Sequence, residues 1–471
     1  IFFQFLYYRC IILVEVNDTI FKELINMTKY ERLAQSLEQD IMQQVYKQGE
    51  RLPSIGTMAK KQGCSKETVI KAYQLLIHQH LIYAKAQSGY YVLGSPILPI
   101  SNTKEFSLET GNPAIKATSL EDAKHCLSLA IEEYRESSLN LSLQGVQSLR
   151  QTLADFFFDM GIYTQESSIY LIQGVTQMLS FLSAIDFPNQ HTYILIEEPT
   201  YSYYVQFLKS QSLPVLTITR DENGIDLTQL QYLFQHYDIK FFYTIPRNHN
   251  PLGTTYSTSM RQKIAQLALK YNVYIIEDDY FGHCSSTSHY LPLYYYMEGQ
   301  NCIYLTSFSK TIPYLRIGAA IIHKDFKNTF EKLSHQSYYY SYQLPSLISQ
   351  ATLESYIKSS LYKKQTQQLQ NHLKKDYQII KKVTQNWDSQ LIQVISSYSG
   401  YYLTIQCLVD INLDLFQTRL QQNHIKIARN ERCFYDPSHF HPSIRLSLAR
   451  IDSHDLKEAL QIFYQVFLDM L

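Results

Sequence analysis

Beyond residue 108, apolar segments of strand length alternate with apolar segments of helical length. The predicted strands cover residues 193–196, 241–245, 273–276, 303–305 and 319–322, and the predicted helices cover 154–160, 177–185 and 259–271. This alternation is typical of an α/β fold with a largely parallel sheet and crossover helices. Ligands of such sheets bind at the carboxyl ends of the strands, so functional side chains are expected there.

The length of the chain, 471 residues, is too great for a single hydrophobic core and predicts two or three domains. Lys plus Arg and Asp plus Glu both number 42, so any surface that binds nucleic acid has to be local. The seven cysteines lie scattered without Cys-x-x-Cys spacing. This pattern is typical of a reducing cytoplasm and predicts no metal site.

Residues 1–28 are expected to be a non-native or disordered extension. The first sixteen residues are apolar, but they are interrupted by Gln4 and Arg9 and are too short to cross a membrane. They also lack the charged start and the cleavage site of a secretory signal. Met27 stands just before the first patterned helix, and we expect the natural chain to start there. The alternative is an added strand or amphipathic helix on the surface.

Residues 29–93 have the pattern of a small helical DNA-binding domain. Apolar residues recur at every fourth position from Leu33 to Val45, Gly63 ends a second helix, and Ser65 caps a third. The three helices and a closing hairpin are predicted at residues 29–48, 55–62, 66–76 and 81–93. This order is that of a winged helix-turn-helix.

Charge supports a nucleic-acid role in this region, since it contains nine basic side chains and only five acidic ones. On the third helix, Ser65, Lys66, Thr68 and Lys71 lie at its start or off its apolar face. Contacts with DNA phosphates and base edges are made from such positions. The alternative is a solvated polar face on a small helical domain.

Three motifs in this region resemble the GntR-type winged helix: Arg51-Leu-Pro-Ser54, Gly63-Cys-Ser-Lys-Glu-Thr-Val69 and Ser88-Gly-Tyr-Tyr-Val92. The resemblance implies double-stranded DNA as a partner and adds Arg51 and Gly89 to the candidate DNA contacts. The family usually has an Arg at the position of Gly56, so one contact with the DNA backbone is expected to be missing.

Residues 94–107 are rich in Pro and in turn-forming residues, which predicts a linker. The second region then covers residues 108–471, and a smaller C-terminal α+β subdomain is expected from roughly residue 380. Within this region the stretch Thr306-Ser-Phe-Ser-Lys310 joins a lysine to several hydroxyl groups. Lys310 could form a Schiff base with an aldehyde cofactor while Ser307, Ser309 and Arg316 hold its phosphate, as in a pyridoxal phosphate pocket. A solvated turn is the alternative.

Other strand ends offer groups for the same cofactor. Asp278 could pair with a protonated pyridine nitrogen and Tyr280 with the phenolic oxygen of the ring, although Asp279 remains a second candidate for the nitrogen. Asn250 presents an amide to the phenolic oxygen, and Tyr201 offers a ring that could stack on the pyridine. After Gly174, the first residues of the next helix, Val175 and Thr176, are placed to bind phosphate.

In this order, the motifs resemble the large domain of fold-type I pyridoxal phosphate enzymes of aminotransferase class I and II. The resemblance covers most of residues 108–471 and implies that Lys310 holds the cofactor and that Arg445 binds an amino-acid carboxylate. Many relatives carry a tyrosine that reaches the neighbouring subunit where this chain has Leu139-Asn-Leu141. That contact is therefore not expected here.

A GntR-type winged helix ahead of an aminotransferase-like domain resembles the MocR family of bacterial transcription regulators. The resemblance implies a cytoplasmic homodimer that senses an amine, an amino acid or pyridoxal phosphate through Lys310 and changes its binding to DNA. The alternative is an active aminotransferase, because the groups for a first half-reaction are all present. The sequence does not identify the effector, the promoter or the direction of control.

Overall fold

The computed structural model of the protein describes residues 28–79, 81–85, 88–93, 104–113, 117–134, 144–284, 290–336 and 344–471. The chain divides into two compact units, Ile1–Asn102 and Thr103–Leu471. The predicted extension before Thr28, residues 94–103 of the predicted linker and Leu139-Asn-Leu141 lie outside the described residues. Within the described residues, no helix is long and apolar enough to cross a membrane, and no cluster of His, Cys, Asp and Glu could hold a metal ion.

The first unit has the order of elements that the sequence predicts. Its helices are Lys29–Met42, Ile55–Gln62 and Lys66–His78, and its antiparallel strands are Ile82–Lys85 and Gly89–Val92. The Ser65 hydroxyl accepts a hydrogen bond of 3.1 Å from the Thr68 amide, which caps the third helix. Gly63, at φ 60°, ends the second helix in the left-handed conformation that glycine adopts easily.

The first helix ends at Met42, six residues before the predicted end, and the prediction was wrong for Val45. That residue lies beyond the helix and is 59% exposed. The chain turns there because its next segment pairs with the hairpin, where the Gly49 amide donates to the Val92 carbonyl at 3.0 Å. The Val92 amide donates in turn to the Glu50 carbonyl at 2.9 Å. This tertiary pairing overrides the local apolar periodicity.

The second unit is built on an eight-stranded sheet, and the mostly parallel arrangement is confirmed. Its neighbouring strands in spatial order are Ile169–Ile172, Gly318–Ile322, Cys302–Ser307, Tyr274–Asp278, Ile239–Thr244, Tyr193–Glu198, Val215–Asp221 and Gly224–Ile225. The central strands run parallel, whereas Gly318–Ile322 and the short strand Gly224–Ile225 run antiparallel to their neighbours. The parallel strands therefore end at one edge of the sheet.

Helices cover both faces of this sheet, since its central strands are buried on both sides. The helices of the second unit are Ala117–Glu133, Gln147–Phe158, Val175–Ala184, Ser202–Ser210, Leu227–His236, Thr258–Lys270, Leu293–Tyr296, Lys324–Gln336, Leu347–Lys358, Leu361–Thr384, Leu413–Gln422 and Ser453–Leu468. Most of the predicted elements recur within a few residues of their predicted bounds.

A smaller antiparallel sheet follows the long helix Leu361–Thr384. Its strands in spatial order are Ile392–Ile395, Tyr402–Cys407, Ser443–Ser447 and Ala428–Arg429. The short strand Ile425–Lys426 pairs in parallel with Phe106–Ser107, which lies inside the predicted linker. Residues 104–107 therefore belong structurally to the second unit.

Candidate functional site

A cavity of about 360 Å³ lies where the parallel strands end. The structure brings all of the predicted cofactor residues to its wall, although they come from six separate parts of the chain. They are Val175, Thr176, Tyr201, Asn250, Asp278, Tyr280, Ser307, Ser309, Lys310 and Arg316. Gln173 and Gln177 of the same wall flank the predicted pair Val175 and Thr176. Sequence reasoning missed Asn112, Ile245 and Tyr402, which no local motif marks, because only the tertiary fold brings them to the cavity.

The geometry distinguishes the two candidate aspartates. Successive side chains of a strand point to opposite faces, and Asp278 lies on the cavity wall while Asp279 lies behind it. Arg247 holds both oxygens of Asp279, with Nε at 2.7 Å from Oδ1 and Nη2 at 2.5 Å from Oδ2. The Tyr304 hydroxyl also donates to Asp279 at 2.6 Å. Both carboxylate oxygens of Asp279 are thus bonded to protein side chains, and Asp278 is the aspartate that lies on the cavity wall.

Asp278 fits the ring nitrogen of a pyridine cofactor. One carboxylate oxygen, Oδ2, accepts a hydrogen bond of 2.8 Å from the Tyr243 hydroxyl, whereas Oδ1 is buried and has no hydrogen-bond partner among the residues that the structure describes. Burial raises the pKa of Asp278 from its ordinary value of 3.8 to about 7, against the opposing effect of the Tyr243 hydrogen bond. A protonated ring nitrogen would satisfy Oδ1 and stabilise the ionised carboxylate.

This raised pKa predicts a pH effect on the stability of the cofactor-free protein. Because the folded pKa exceeds the unfolded one, the stabilisation is present at low pH and is lost as the pH rises from about 4 to about 7. We expect the free energy of unfolding of wild type to fall relative to that of Asp278→Asn as the pH rises across this window. Urea unfolding at several pH values measures it, with the exposed Asp238→Asn as control. A difference that stays constant with pH would contradict the assignment.

The Lys310 amine reaches into the cavity from the turn after strand Cys302–Ser307. It donates to the Gly111 carbonyl at 2.9 Å and lies 3.5 Å from Asn112 Oδ1. The backbone of the lysine is fixed as well, because the Tyr401 hydroxyl donates to the Lys310 carbonyl at 3.0 Å. A primary amine held in this way, beside a buried carboxylate, suits capture of an aldehyde.

Hydroxyl groups, backbone amides and a guanidinium gather at one end of the cavity. Helix Val175–Ala184 begins at the wall and directs its free amides there. The Ser309 hydroxyl donates to the Leu315 carbonyl at 2.8 Å, and Ser307 Oγ accepts from the Ser309 amide at 3.3 Å. Arg316 is exposed, and within the described residues its side chain makes no hydrogen bond. This set fits a phosphate.

The aromatic and amide groups are held by different contacts. The Tyr280 hydroxyl donates to the Asn248 carbonyl at 2.6 Å, and the hydroxyls of Tyr201 and Thr176 lie 3.2 Å apart. Asn250 Oδ1 accepts from Arg445 Nη1 at 3.0 Å. The Tyr280 hydroxyl keeps its lone pairs free to accept a hydrogen bond, and the Asn250 amide keeps its nitrogen free to donate one.

Arg445 lies on a second and larger cavity of about 970 Å³. The two cavities share seven wall residues: Asn112, Thr176, Tyr201, Asn250, Lys310, Arg316 and Tyr402. The Arg445 guanidinium stacks over the Tyr402 ring at 4.6 Å, and its Nη2 donates to the Glu109 carbonyl at 2.5 Å. The two cavities therefore adjoin each other, with Lys310 on the wall of both and Arg445 on the wall of the second.

Beneath the site lies a fully buried charge network centred on Glu197. Its Oε1 accepts from Arg220 Nη1 at 2.7 Å and from the Thr244 hydroxyl at 2.6 Å. His249 Nε2 lies 3.2 Å from Oε2, directly beside Asn250 in the chain. Burial alone would raise the pKa of Glu197, but Arg220 and these hydrogen bonds hold it well below its ordinary value. The network anchors the loop that carries Asn250.

In the first unit, the predicted DNA contacts lie on and around the third helix. Lys66 and Lys71 are exposed, and Lys71 makes an ion pair of 3.2 Å with Glu67. Ser65 and Thr68 are joined by the helix cap. Arg51 lies on an exposed edge beside the hairpin, where an added Cβ at Gly89 would come within 2.9 Å of Arg51 Nε. Gly56 has open space around it.

Comparison with known families identifies both units. The model of aminotransferase class I and II matches residues 103–463, and that of the bacterial regulatory proteins of the gntR family matches residues 29–92. The chain therefore belongs to the aminotransferase class I and II family. With its gntR-type domain, it has the architecture of the MocR family of pyridoxal phosphate-dependent transcriptional regulators, which confirms the family, function and cofactor predictions.

Curated relatives are named HTH-type transcriptional regulators. The uncharacterized HTH-type transcriptional regulator YcxD of Bacillus subtilis is 35% identical over 356 residues, which cover 74% of this chain and 78% of YcxD. The HTH-type transcriptional regulator NorG of Staphylococcus aureus is 24% identical over 448 residues, which cover 88% of this chain and 98% of NorG.

Solved structures share the fold of the second unit. The α-aminoadipate aminotransferase LysN of Thermus thermophilus, complexed with N-(5'-phosphopyridoxyl)-L-leucine, superposes with a TM-score of 0.69 at 20% identity, over 78% of this chain and 92% of LysN. The kynurenine aminotransferase of Pyrococcus horikoshii gives 0.70 at 19% identity, over 79% of this chain and 92% of its own.

Proposed function

We propose that the protein acts in the cytoplasm as a homodimeric sensor that binds pyridoxal phosphate through Lys310 and an amino-acid effector through Arg445. The observation that carries this proposal is the shared wall, which includes Lys310 itself, between the cavity of Lys310 and the cavity of Arg445. Binding of the effector would change how the protein binds double-stranded DNA. A dimer would present two recognition helices to successive half-sites, and sedimentation of the purified protein tests that state.

When bound, pyridoxal phosphate supplies an aldehyde that condenses with primary amines and a ring that withdraws electrons. Each group of this chain has a separate task toward it. Lys310 provides the amine, Asp278 accepts a hydrogen bond from the ring nitrogen, and Arg316 neutralises phosphate charge. Tyr201 covers one face of the ring. Arg445 has a planar guanidinium that suits a carboxylate better than an ammonium group does.

We expect Arg445→Ala to weaken binding of amino acids about tenfold or more, since a charge-assisted contact to the carboxylate is lost. Binding of matched amines that lack the carboxylate should change little. Titration of the visible absorbance of the cofactor-loaded protein measures both, with Arg419→Ala, remote from the cavities, as control. Equal weakening for amino acids and amines would contradict the role of Arg445. Assay of keto acid in the same samples tests catalytic turnover.

Lys66→Ala and Lys71→Ala should each weaken DNA binding and leave the visible absorbance of the cofactor unchanged. Each lysine that neutralises a phosphate contributes about −0.9 to the slope of log affinity against log salt, so each variant should lose about that much slope. Fluorescence anisotropy at several salt concentrations measures it, on DNA that the wild type selects from a random pool. Lys47→Ala, an exposed lysine outside the recognition helix, is the control. An unchanged slope would place the phosphate contacts elsewhere.

A further inference from the structure

The backbone of one segment, Phe106–Asn112, contacts two cations of the proposed site, Lys310 and Arg445. The Glu109 carbonyl accepts from Arg445 Nη2 at 2.5 Å, and the Gly111 carbonyl accepts from Lys310 Nζ at 2.9 Å. These carbonyls are two residues apart in a segment that has little regular structure of its own. The two groups assigned to effector and cofactor are therefore both bonded to one short stretch of chain.

The same segment starts just after the boundary between the two units, which falls between Asn102 and Thr103. Its first residues are anchored firmly, since Phe106–Ser107 pairs with Ile425–Lys426 and the Ser447 amide donates to the Leu108 carbonyl at 2.8 Å. Lys104 adds ion pairs of 2.6 Å to Asp455 and 2.7 Å to Glu458. In the chain, residues 109–112 are thus separated from the start of the second unit only by this anchored stretch.

The far end of the segment is held mainly by the site. Within it, the Asn112 amide donates to Thr110 Oγ1 at 3.2 Å, and the Asn112 carbonyl accepts from Arg450 Nε at 2.8 Å. Gly111 packs closely against Tyr402, because an added Cβ would lie 1.7 Å from its hydroxyl oxygen. The Gly111 backbone therefore packs directly on Tyr402, which is a wall residue of both cavities.

We propose that Phe106–Asn112 becomes less tightly held when the site is occupied and transmits this change toward the DNA-binding unit. The amine of Lys310 has three hydrogens when free and protonated. When it condenses with an aldehyde, two of these hydrogens leave with the aldehyde oxygen as water and the nitrogen keeps at most one, so the amine loses most of its capacity to donate to the Gly111 carbonyl. An effector carboxylate that binds Arg445 competes for the guanidinium that bonds to Glu109. Binding of the cofactor and binding of the effector therefore each weaken a hydrogen bond to a carbonyl of the same segment, at Gly111 and at Glu109.

This proposal rests on the proposed function, and hydrogen–deuterium exchange of the full-length protein tests it with pyridoxal phosphate alone as the probe. We expect amides of residues 109–112 to exchange about threefold faster or more with the cofactor than without it, because local opening becomes easier. In Lys310→Ala the same amides should exchange fast in both samples. Lys240→Gln, which removes a lysine outside both cavities, should behave like wild type. Unchanged exchange in wild type would overturn the proposal.

Visible absorbance recorded on the same samples separates the two ideas. If the cofactor absorbance is missing, the proposed function itself is contradicted. If the absorbance is present but hydrogen exchange is unchanged, only the role of Phe106–Asn112 is contradicted. The relay is tested by Gly111→Ala, whose methyl group would displace the segment, and by the milder Thr110→Val, which removes the acceptor for the Asn112 amide. In both variants, affinity for DNA selected by the wild type should no longer respond to pyridoxal phosphate. A response equal to that of wild type in Thr110→Val would overturn the relay.

Discussion

Lys310→Ala is expected to lose the visible absorbance of covalently held pyridoxal phosphate completely. No other lysine lines either cavity within the described residues, so no second amine can take its place. The phosphate-binding groups at Val175, Ser307 and Arg316 stay intact, and the variant should still bind the cofactor without a covalent bond. Absorbance spectra after gel filtration, with and without borohydride reduction, measure the covalent fraction.

A second lysine provides a demanding control for this experiment. Burial lowers the pKa of Lys240 to about 8, which makes its amine more nucleophilic than an ordinary lysine. Its Nζ donates to the Ser183 carbonyl at 2.8 Å and to the Ile185 carbonyl at 3.2 Å, away from the cavities. Lys240→Gln should keep the full absorbance. Absorbance that survives in Lys310→Ala and disappears in Lys240→Gln would refute the assignment of Lys310.

Arg220→Met should destabilise the second unit by about 3–5 kcal/mol, since it leaves the buried carboxylate of Glu197 without its main cation. Both side chains are fully buried, and Arg220 also donates to the Ile245 carbonyl at 2.8 Å and to Thr254 Oγ1 at 3.2 Å. We expect a fall of several degrees in the melting temperature of this unit. Thermal unfolding followed by circular dichroism measures it.

Lys104→Met is the matched control, because it also removes a cation that is paired with carboxylates. Lys104 lies in solvent, and water screens its ion pairs with Asp455 and Glu458, so they should contribute much less to stability than a buried pair. A similar loss of stability in both variants would show that burial does not decide the strength of the Glu197 network. Arg220→Met should also weaken cofactor binding, because the network anchors the loop of Asn250 through His249.

Much of the site could be predicted because each motif sits where a parallel strand ends. Lys310, Asp278 and Tyr201 carry local signals, namely a residue type next to an apolar run, and local signals are readable in sequence. The choice between Asp278 and Asp279 was not readable, since it depends on which face of strand Tyr274–Asp278 meets the cavity. Strand periodicity gives the alternation of faces but not their surroundings.

Groups that depend on long-range contacts were not predictable in the same way. Tyr402 and Asn112 reach the cavity from opposite ends of the second unit, and neither lies in a motif. The end of the first helix was misplaced because the chain after Met42 pairs with a hairpin some forty residues further on. In each case the deciding interaction joins residues that are distant in sequence, and local pattern contains no information about it.

The division of labour between Asp278 and Asp279 has a consequence for the evolution of such proteins. Asp279 holds Arg247 and Tyr304 inside the fold, whereas Asp278 faces the space meant for a ligand. A descendant that abandoned the cofactor would be free to replace the first aspartate but would have to keep the second. Two adjacent positions at the end of this strand are therefore constrained differently, the first by ligand chemistry and the second by folding.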